Sequence, residues 1–316
     1  MNVQDFFINR AERLRSGWRF VIFLLAFFFF GAIFGGAAVL VLSALKVEGG
    51  ADSVAFILVS DGISLILAIL LDWLCGKFFE DLPFRALGAS FDGKWLKDFA
   101  FGLLIGAVSI GFAVLIAAAA GGLSFSFNQT QGTPAILLTL GVSFGVFAVA
   151  AAFEEAFFRG YILQTFSRAD LAWLAIVLTS VFFAAVHLQN SGANYFSTIN
   201  TALAGIWFGV AYLKTRNLWF PFGIHLAWNW MQGAVFGIEV SGITSFTNAP
   251  LFRETDIGPA WLTGGDYGIE GGIACTLAII FSTALIYFLP ILKPTGEMLA
   301  LTSEEKTISE ISKNNL

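Results

Sequence analysis

Long apolar runs separated by short polar segments make up most of this chain. The runs begin near eight positions, which are Trp18, Val54, Phe99, Pro134, Leu171, Phe196, Leu218 and Gly268. About 20 apolar residues in a helix that rises 1.5 Å per residue are enough to cross about 30 Å of hydrocarbon. The pattern therefore predicts an all-α fold, a polytopic membrane bundle of about eight transmembrane helices.

The composition supports a membrane protein. Hydrophobic residues make up 57% of the 316 residues, charged residues make up only 12%, and the mean hydropathy is +0.80. These values lie far from those of a soluble domain of this length. The first apolar run extends to about Leu45, which is roughly twice the length of a signal-peptide apolar region, so we expect it to be retained as a span.

The chain shows no Pro-rich or Ser-rich linker and no tandem repeat that would divide it. We therefore predict a single membrane domain over residues 1–316, ending in a disordered polar tail over residues 300–316. The loop from Ser241 to Asp266 is predicted to be the long external loop. The basic, amphipathic segment from Leu82 to Lys97 is expected to lie along the cytoplasmic interface.

Basic residues fall almost entirely on one side of the predicted helices. With the N-terminus inside, 15 of the 17 Lys and Arg residues lie in cytoplasmic segments, which leaves Lys46 and Arg253 outside. Cytoplasmic loops of membrane proteins carry such an excess. We expect a multi-pass protein of a bacterial cell membrane with both termini in the cytoplasm. The net charge of −5 and the polar tail indicate no nucleic-acid partner.

The segment FEEAFFRG, residues 153–160, places two carboxylates and an arginine within a predicted span. Charged groups at this depth are costly, so they indicate pairing or function. Glu154 and Glu155 leave a helix about 100° apart and cannot point at one spot, so we expect their roles to differ. Arg159 lies four residues after Glu155, at ion-pair spacing. Glu154 is left without a partner.

The two histidines of the chain lie in similar apolar surroundings. His187 lies in FFAAVHLQN, and His225 lies in FGIHLAWNW with Asn229 one helical turn later. A lone histidine on an apolar helix is usually a packing residue, but two of them near a buried glutamate are harder to explain in this way. His225 and Asn229 lie roughly 12 Å and 18 Å from the turn that precedes the seventh predicted helix.

The fourth and fifth predicted helices form a hairpin whose tip is near residues 169–170. Glu154 and His187 lie at equal distances from this tip, roughly 24 Å along each helix. This depth requires the tip to project past the hydrocarbon, as its polar residues Gln164, Ser167, Arg168 and Asp170 allow. We therefore expect the acid, both histidines and the asparagine to converge in the cytoplasmic half of the membrane.

These residues resemble the motifs of a known family. EExxxR in Glu154, Glu155 and Arg159, FxxxH ending at His187, and HxxxN in His225 and Asn229 are similar to the CPBP intramembrane proteases. This family is also called the CAAX protease and bacteriocin-processing, or Abi, family, and it includes type II CAAX prenyl endopeptidases. The resemblance covers residues 80–235, which would hold the protease core motifs.

The resemblance implies an intramembrane endopeptidase that cuts peptide bonds of membrane-associated or lipidated substrates. It implies that Glu154 is the general base and that His187 helps to hold the water and to move the proton. His225 and Asn229 would donate hydrogen bonds to the oxyanion, and Glu155 with Arg159 would orient Glu154. It also favours water activation without a metal cofactor, and a peptide or membrane-anchored protein as the partner, in the lipid bilayer.

Other catalytic arrangements remain open at this point. GVSFG places Ser143 in a serine-protease pattern, but inside a helix rather than at a strand-to-helix turn. Asp61 and Asp72 suggest an aspartyl protease, although Asp72 lies near a predicted helix end. The role of Asp61 has no better account than capping or hydrating its helix. Cys75 and Cys275 lack CxxC spacing and are interpreted as buried packing residues.

Two further alternatives concern the same motif residues. Glu154, His187 and His225 form a possible His2Glu zinc site, although the chain contains no HExxH motif. A non-proteolytic scaffold, immunity protein or transporter would keep the cavity without cutting. A transporter would more often show paired broken half-helices in two related halves, and the sequence shows no such pair.

Overall fold

A computed structural model of the chain describes residues 6–46 and 53–303. The helices that form the bundle are α1 (Ser16–Ala44), α2 (Val54–Glu80), α3 (Trp95–Ala119), α4 (Thr133–Arg159), α5 (Tyr161–Arg168), α6 (Ala172–Val186), α7 (Tyr195–Thr215), α8 (Trp219–Trp230) and α10 (Ile273–Phe288). Two shorter ones are α9 (Ala260–Thr263) and α11 (Gly296–Thr302). Each predicted apolar run contains a helix, and the predicted helical bundle is confirmed.

The lengths of these helices differ more than the sequence pattern indicated. Five helical segments are long and apolar enough to cross a membrane, and these are α1, α2, α3, α4 together with α5, and α7. The helices α6, α8 and α10 have only 15, 12 and 16 residues. Eight membrane crossings and a single domain over residues 1–316 therefore stay predictions.

Glycines let α8 lie directly against α3. A Cβ at Gly102 would overlap the Phe220 carbonyl oxygen, and one at Gly106 would overlap the Ile224 carbonyl oxygen. On the facing helix, a Cβ at Gly223 would overlap backbone atoms of α3. Small residues at helix contacts allow such close approach of two backbones. The packing fixes the position of α8, the helix that carries His225 and Asn229.

The hairpin helix is broken at Gly160, where α4 ends and α5 begins. Asp72 of α2 accepts a hydrogen bond from the Tyr161 backbone N–H at 2.8 Å and so caps α5 from a neighbouring helix. A Cβ at Gly160 would overlap Asp72 Oδ2 and the Ala156 carbonyl oxygen. Asp72 is 1% exposed and lies eight residues before the end of α2 at Glu80, so its predicted place near a helix end is wrong.

An ionic cluster fixes the end of the bundle near the hairpin tip. Glu80 accepts hydrogen bonds from Arg168 at 2.7 Å and 2.8 Å, and it forms an ion pair with Arg19 at 2.8 Å. All three side chains are buried. Each charge therefore has a partner of opposite sign, which offsets much of the cost of removing it from water. The cluster joins α1, α2 and α5.

The polar residues of the hairpin tip are mostly buried rather than projecting into water. Gln164 is 1% exposed and donates to the Leu87 carbonyl oxygen at 3.0 Å. Ser167 is 5% exposed and accepts a hydrogen bond from Arg216 at 2.8 Å. Of the four residues expected to make the tip project, only Asp170 is exposed. The side chains of Gln164 and Ser167 are thus hydrogen-bonded to other parts of the protein.

A small antiparallel ribbon lies at the other end of the bundle. Strand β1 (Leu123–Phe127) follows α3, and it pairs with strand β2 (Phe252–Asp256) so that Phe125 lies opposite Glu254. The second strand lies within the predicted external loop 241–266, for which the sequence indicated no regular structure. The pairing connects this loop to the end of α3.

The described part of the predicted tail is ordered, which corrects the expectation for its first residues. Helix α11 extends to Thr302, whose side chain is buried and whose carbonyl oxygen accepts from Arg216 at 3.2 Å. Residues 304–316 lie outside the described residues. Between Leu82 and Lys97 the chain forms a 3-10 turn over Phe84–Leu87. The interfacial location of this segment stays a prediction.

The cap at Tyr161 leads to a test of stability. We expect Asp72→Ala to lower the free energy of unfolding by about 1–2 kcal/mol, because a buried backbone N–H loses its acceptor. Asp72→Asn keeps an acceptor oxygen and nearly the same volume, so we expect a smaller loss and normal peptide cleavage. Thermal unfolding and cleavage are measured on both variants in the same detergent. Loss of cleavage in a well-folded Asp72→Asn would support the aspartyl-protease alternative instead.

Candidate active site

The four motif side chains line one cavity of about 300 Å³ between the helices. Glu154 comes from α4, His187 follows the end of α6, and His225 with Asn229 comes from α8. The predicted convergence of Glu154, His187, His225 and Asn229 is therefore found as a geometric arrangement. Their catalytic roles stay predictions.

His225 lies between the two neighbouring carboxylates of α4. Its Nδ1 is 2.9 Å from Glu155 Oε1, and its Nε2 is 3.7 Å from Glu154 Oε2. The two glutamates were expected to point at different places, but they face opposite edges of the same imidazole. The Glu155 side chain is 1% exposed and that of Glu154 is 24% exposed, so Glu154 is the carboxylate that the cavity can reach.

Glu155 also holds the buried arginine of the motif. Arg159 Nη1 lies 3.3 Å from Glu155 Oε1, so the ion pair expected from the i, i+4 spacing is present. The guanidinium lies over three aromatic rings, with its Cζ 5.5, 4.9 and 5.0 Å from the ring centres of Phe158, Phe183 and Phe208. Such contacts stabilise a cation that has lost its water.

The hydrogen bonds of this pair reach His225 rather than Glu154, and its predicted role in orienting Glu154 stays a prediction. Glu155 bridges Arg159 and His225, whereas neither Glu155 nor Arg159 hydrogen-bonds to Glu154 among the described residues. Glu155 therefore fixes the His225 ring, and the Glu154 Oε2 atom is buried without a hydrogen-bond partner in the described chain. The pair supports the site through the histidine.

The tautomer of His187 follows from its backbone contact. Nδ1 lies 2.7 Å from the Phe183 carbonyl oxygen, one turn earlier in α6. A carbonyl oxygen only accepts, so Nδ1 carries the proton and Nε2 has a free lone pair in the neutral ring. The His187 ring also packs against the Phe183 ring with the two centres 4.7 Å apart. These contacts hold the ring at the end of its helix.

Asn229 lies one turn after His225 and just before a change in helix geometry. The helix widens into a π-helical turn over Met231–Val235, a form that is frequent at functional sites. On the other side, Phe208 stacks on the His225 ring at 4.5 Å with an angle of 20° between the planes. The position of His225 is thus restricted by a carboxylate and by a ring face.

Two acidic residues that the sequence did not connect to the site also line the cavity, and they are Asp61 and Glu270. Glu270 accepts hydrogen bonds from Trp228 Nε1 at 3.1 Å and from the Ser241 N–H and Oγ at 2.7 Å and 2.8 Å. Glu270 therefore fastens the predicted external loop to α8. The sequence signal for Glu270 is an acidic residue within GIEGG, at the start of the last apolar run.

The cavity lies at the end of the bundle opposite the hairpin tip. Its wall includes Asn190, Ser241, Ile243, Phe246 and Glu270, which belong to connections at that end. The predicted orientation and the predicted depth of the site, in the cytoplasmic half of the membrane, both stay predictions. Helix α6, which leads to His187, has only 15 residues. A position about 24 Å from the hairpin tip therefore lies at the far end of α6.

The other catalytic alternatives find little support in the geometry. Ser143 is fully buried, and its hydroxyl donates to the Thr139 carbonyl oxygen of the same helix at 2.6 Å. Asp61 lines the cavity, but Asp72 caps α5 and does not line it, so the two aspartates do not meet. Both cysteines are free and buried, as expected for packing residues.

The zinc alternative was tested against the side-chain positions. Across residues 6–46 and 53–303, no three or more His, Cys, Asp and Glu side chains are arranged so that they could hold a metal ion. Glu154, His187 and His225 line the same cavity without forming such a group. The metal-free reaction stays a prediction.

The fold and the site define a class, a helical membrane protein with glutamate, histidine and asparagine gathered in one cavity. Residues 136–231 match the family model described as Type II CAAX prenyl endopeptidase Rce1-like. The matched range contains all six motif residues, and it confirms the resemblance to the CPBP, or CAAX protease, family. The match indicates a membrane protease of the CAAX type. No curated protein and no solved structure matches the chain.

The contacts of Glu155 lead to a second test of stability. We expect Glu155→Gln to lower the free energy of unfolding by about 3–5 kcal/mol, because Arg159 then remains buried without its counter-charge. The matched control is Asp81→Asn, which removes an exposed partner 4.0 Å from Lys77 and is expected to leave the melting temperature unchanged. Equal melting temperatures for Glu155→Gln and the wild type would contradict the supporting role of this pair.

Proposed function

We propose that the protein is an intramembrane endopeptidase of the glutamic type that hydrolyses peptide bonds of membrane-associated or lipidated proteins. Glu154 and His187 activate water without a metal cofactor. The observation that carries this proposal is the convergence of Glu154, His187, His225 and Asn229 in one cavity from three parts of the chain. Such a cavity, partly closed to solvent, strengthens hydrogen bonds to a developing charge.

Glu154 is the group best placed to take the proton of a water molecule. Its side chain is partly exposed to the cavity, while Glu155 is occupied by Arg159 and His225. As the water oxygen bonds to the carbonyl carbon of the substrate, its proton passes to the Glu154 carboxylate. The same proton then goes to the leaving amine when the C–N bond breaks, which restores the carboxylate.

His187 supplies the second contact for the water. Its Nδ1–H is engaged by the Phe183 carbonyl oxygen, so Nε2 is the nitrogen that remains to accept a hydrogen bond. A water molecule held between this nitrogen and Glu154 has its lone pairs free for attack on the substrate. His187 thereby positions the nucleophile and provides a second route for its proton.

His225 and Asn229 are proposed to stabilise the oxyanion of the tetrahedral intermediate. The Asn229 amide offers N–H donors from the cavity wall. For His225 the Nδ1–H points to Glu155, so donation from Nε2 requires a proton on both ring nitrogens. Donors held before the reaction lower the barrier without further rearrangement.

The role of Glu154 is tested by Glu154→Gln, which keeps the shape of the side chain and removes the base. We expect turnover of a cleaved peptide to fall by at least about 10³-fold, with a melting temperature close to that of the wild type. The control Ser143→Ala removes a hydroxyl outside the cavity and should keep normal turnover. Normal turnover in Glu154→Gln, or loss of turnover in a folded Ser143→Ala, would contradict the proposed mechanism.

The oxyanion role and the absence of a metal are tested together. We expect Asn229→Ala to reduce kcat by about 10²–10³-fold with little change in KM, because the donor acts mainly in the transition state.

Chelators should leave the wild-type activity unchanged. Stoichiometric zinc whose removal abolishes activity, and whose return restores it, would establish the zinc-dependent alternative. A folded wild type that cuts none of a broad panel of membrane-anchored peptides would favour a scaffold or immunity protein.

A further inference from the structure

Asp61 is a cavity residue outside the family motifs. It lies on α2, seven residues after the first residue of that helix, and so about 10 Å along it from the end where the cavity is found. It lines the same cavity as Glu154, from the α2 side of α4. A carboxylate at this depth is costly, so its position next to the proposed reaction centre calls for a function.

The charge of the cavity wall shows which ligands it suits. Its acidic residues are Asp61, Glu154 and Glu270, and no lysine or arginine lines it in the described chain. Glu270 is satisfied by its hydrogen bonds to the Trp228 ring and to Ser241. Arg159 is fully buried behind Glu155. Asp61 therefore has no lysine or arginine of the cavity wall as a counter-charge in the described chain.

A second, independent feature indicates that a peptide crosses the cavity. Trp207 of α7 forms part of the wall and is 1% exposed, and its Nε1–H is buried with no acceptor in the described part of the protein. Buried donors of this kind are rarely left unpaired, and a substrate carbonyl oxygen would satisfy this one. Trp207 packs edge-to-face with Trp228 of α8, with the ring centres 5.5 Å apart, whereas Asp61 lies on α2, so the two residues reach the cavity from different helices.

We propose that Asp61 binds a positively charged side chain of the substrate, so that the protease selects peptides with Lys or Arg on one side of the scissile bond. This inference rests on the proposed function and names its substrate class. An ammonium or guanidinium beside Asp61 gains a charge-assisted hydrogen bond in a site with limited access to water. An acidic side chain in the same place would be repelled by Asp61 and Glu154.

The test uses the purified full-length protein and a series of fluorogenic peptides of one fixed sequence. Each position near the scissile bond is in turn Lys, norleucine or Glu, because norleucine keeps the aliphatic stem of lysine and lacks its charge. At one position, we expect kcat/KM for Lys to exceed that for norleucine by about tenfold, with Glu the poorest, and the difference to appear in KM rather than kcat.

Variants at Asp61 separate recognition from structural effects. Asp61→Asn should reduce the preference for Lys to less than about twofold, and Asp61→Glu should keep it. Asp61→Lys should reverse it so that the Glu peptide becomes the best, a change that a merely structural role would not produce. The control Asp266→Asn removes an exposed charge that does not line the cavity and should leave the preference unchanged.

The inference and the proposed function fail in different ways. Cleavage of the Lys, norleucine and Glu peptides at equal rates, or a preference that persists in Asp61→Asn, would overturn the role of Asp61 and leave the protease assignment intact. If the wild type cuts no peptide, the protease proposal fails, and binding decides the role of Asp61. Fluorescence anisotropy should then show tighter binding of the Lys peptide than of the norleucine peptide, only with Asp61 present. Equal binding of the Lys and norleucine peptides would refute the role of Asp61.

Discussion

The burial of Arg159 is the constraint on which the rest of the site depends. A guanidinium removed from water needs a counter-charge and a favourable surface around it, and Glu155 with three aromatic rings provides both. Because the same Glu155 oxygen also contacts His225, the counter-charge of the arginine fixes the imidazole. This leaves Glu154 as the carboxylate that faces the cavity. Adjacent residues of one helix thus differ in their surroundings, since Glu155 is paired with Arg159 and His225 and Glu154 faces the cavity.

The bundle keeps these groups in place by interrupting or shortening its helices. The main helix of the hairpin stops at Arg159 and restarts at Tyr161, and a carboxylate from α2 caps the new start. Glycines bring α8 directly against α3. The short α6 ends where His187 is needed. His187 therefore lies at a helix end and Asn229 lies just before the π-helical turn, while Glu154 lies five residues before the end of α4.

The segment after α8 completes the wall of the cavity. Glu270 joins Ser241 to Trp228, and the β ribbon joins the same segment to the end of α3. The wall formed in this way is acidic, and it lies at the end of the bundle opposite the hairpin tip. An ordered segment therefore forms part of the cavity wall, together with side chains of the helices.

The sequence alone determined the helical class, the chain order of the helices and the six motif residues. Apolar runs, and charged residues within them, are local features of the sequence, so they can be identified without knowledge of the fold. The hairpin register also placed Glu154 and His187 at one level, because equal counts from a turn give equal heights in antiparallel helices.

Only the tertiary structure decided which groups Glu155 and Asp72 contact, which loop residues form the cavity wall, and that Asp61 and Glu270 line it. These contacts join residues from 70 to 89 positions apart in the chain, such as Glu155 with His225 and Asp72 with Tyr161. Their partners depend on helix rotation and on close approach at glycines, which hydrophobic periodicity does not encode. The β ribbon was missed for the same reason, because pairing of two short strands 125 or more residues apart has no local signal.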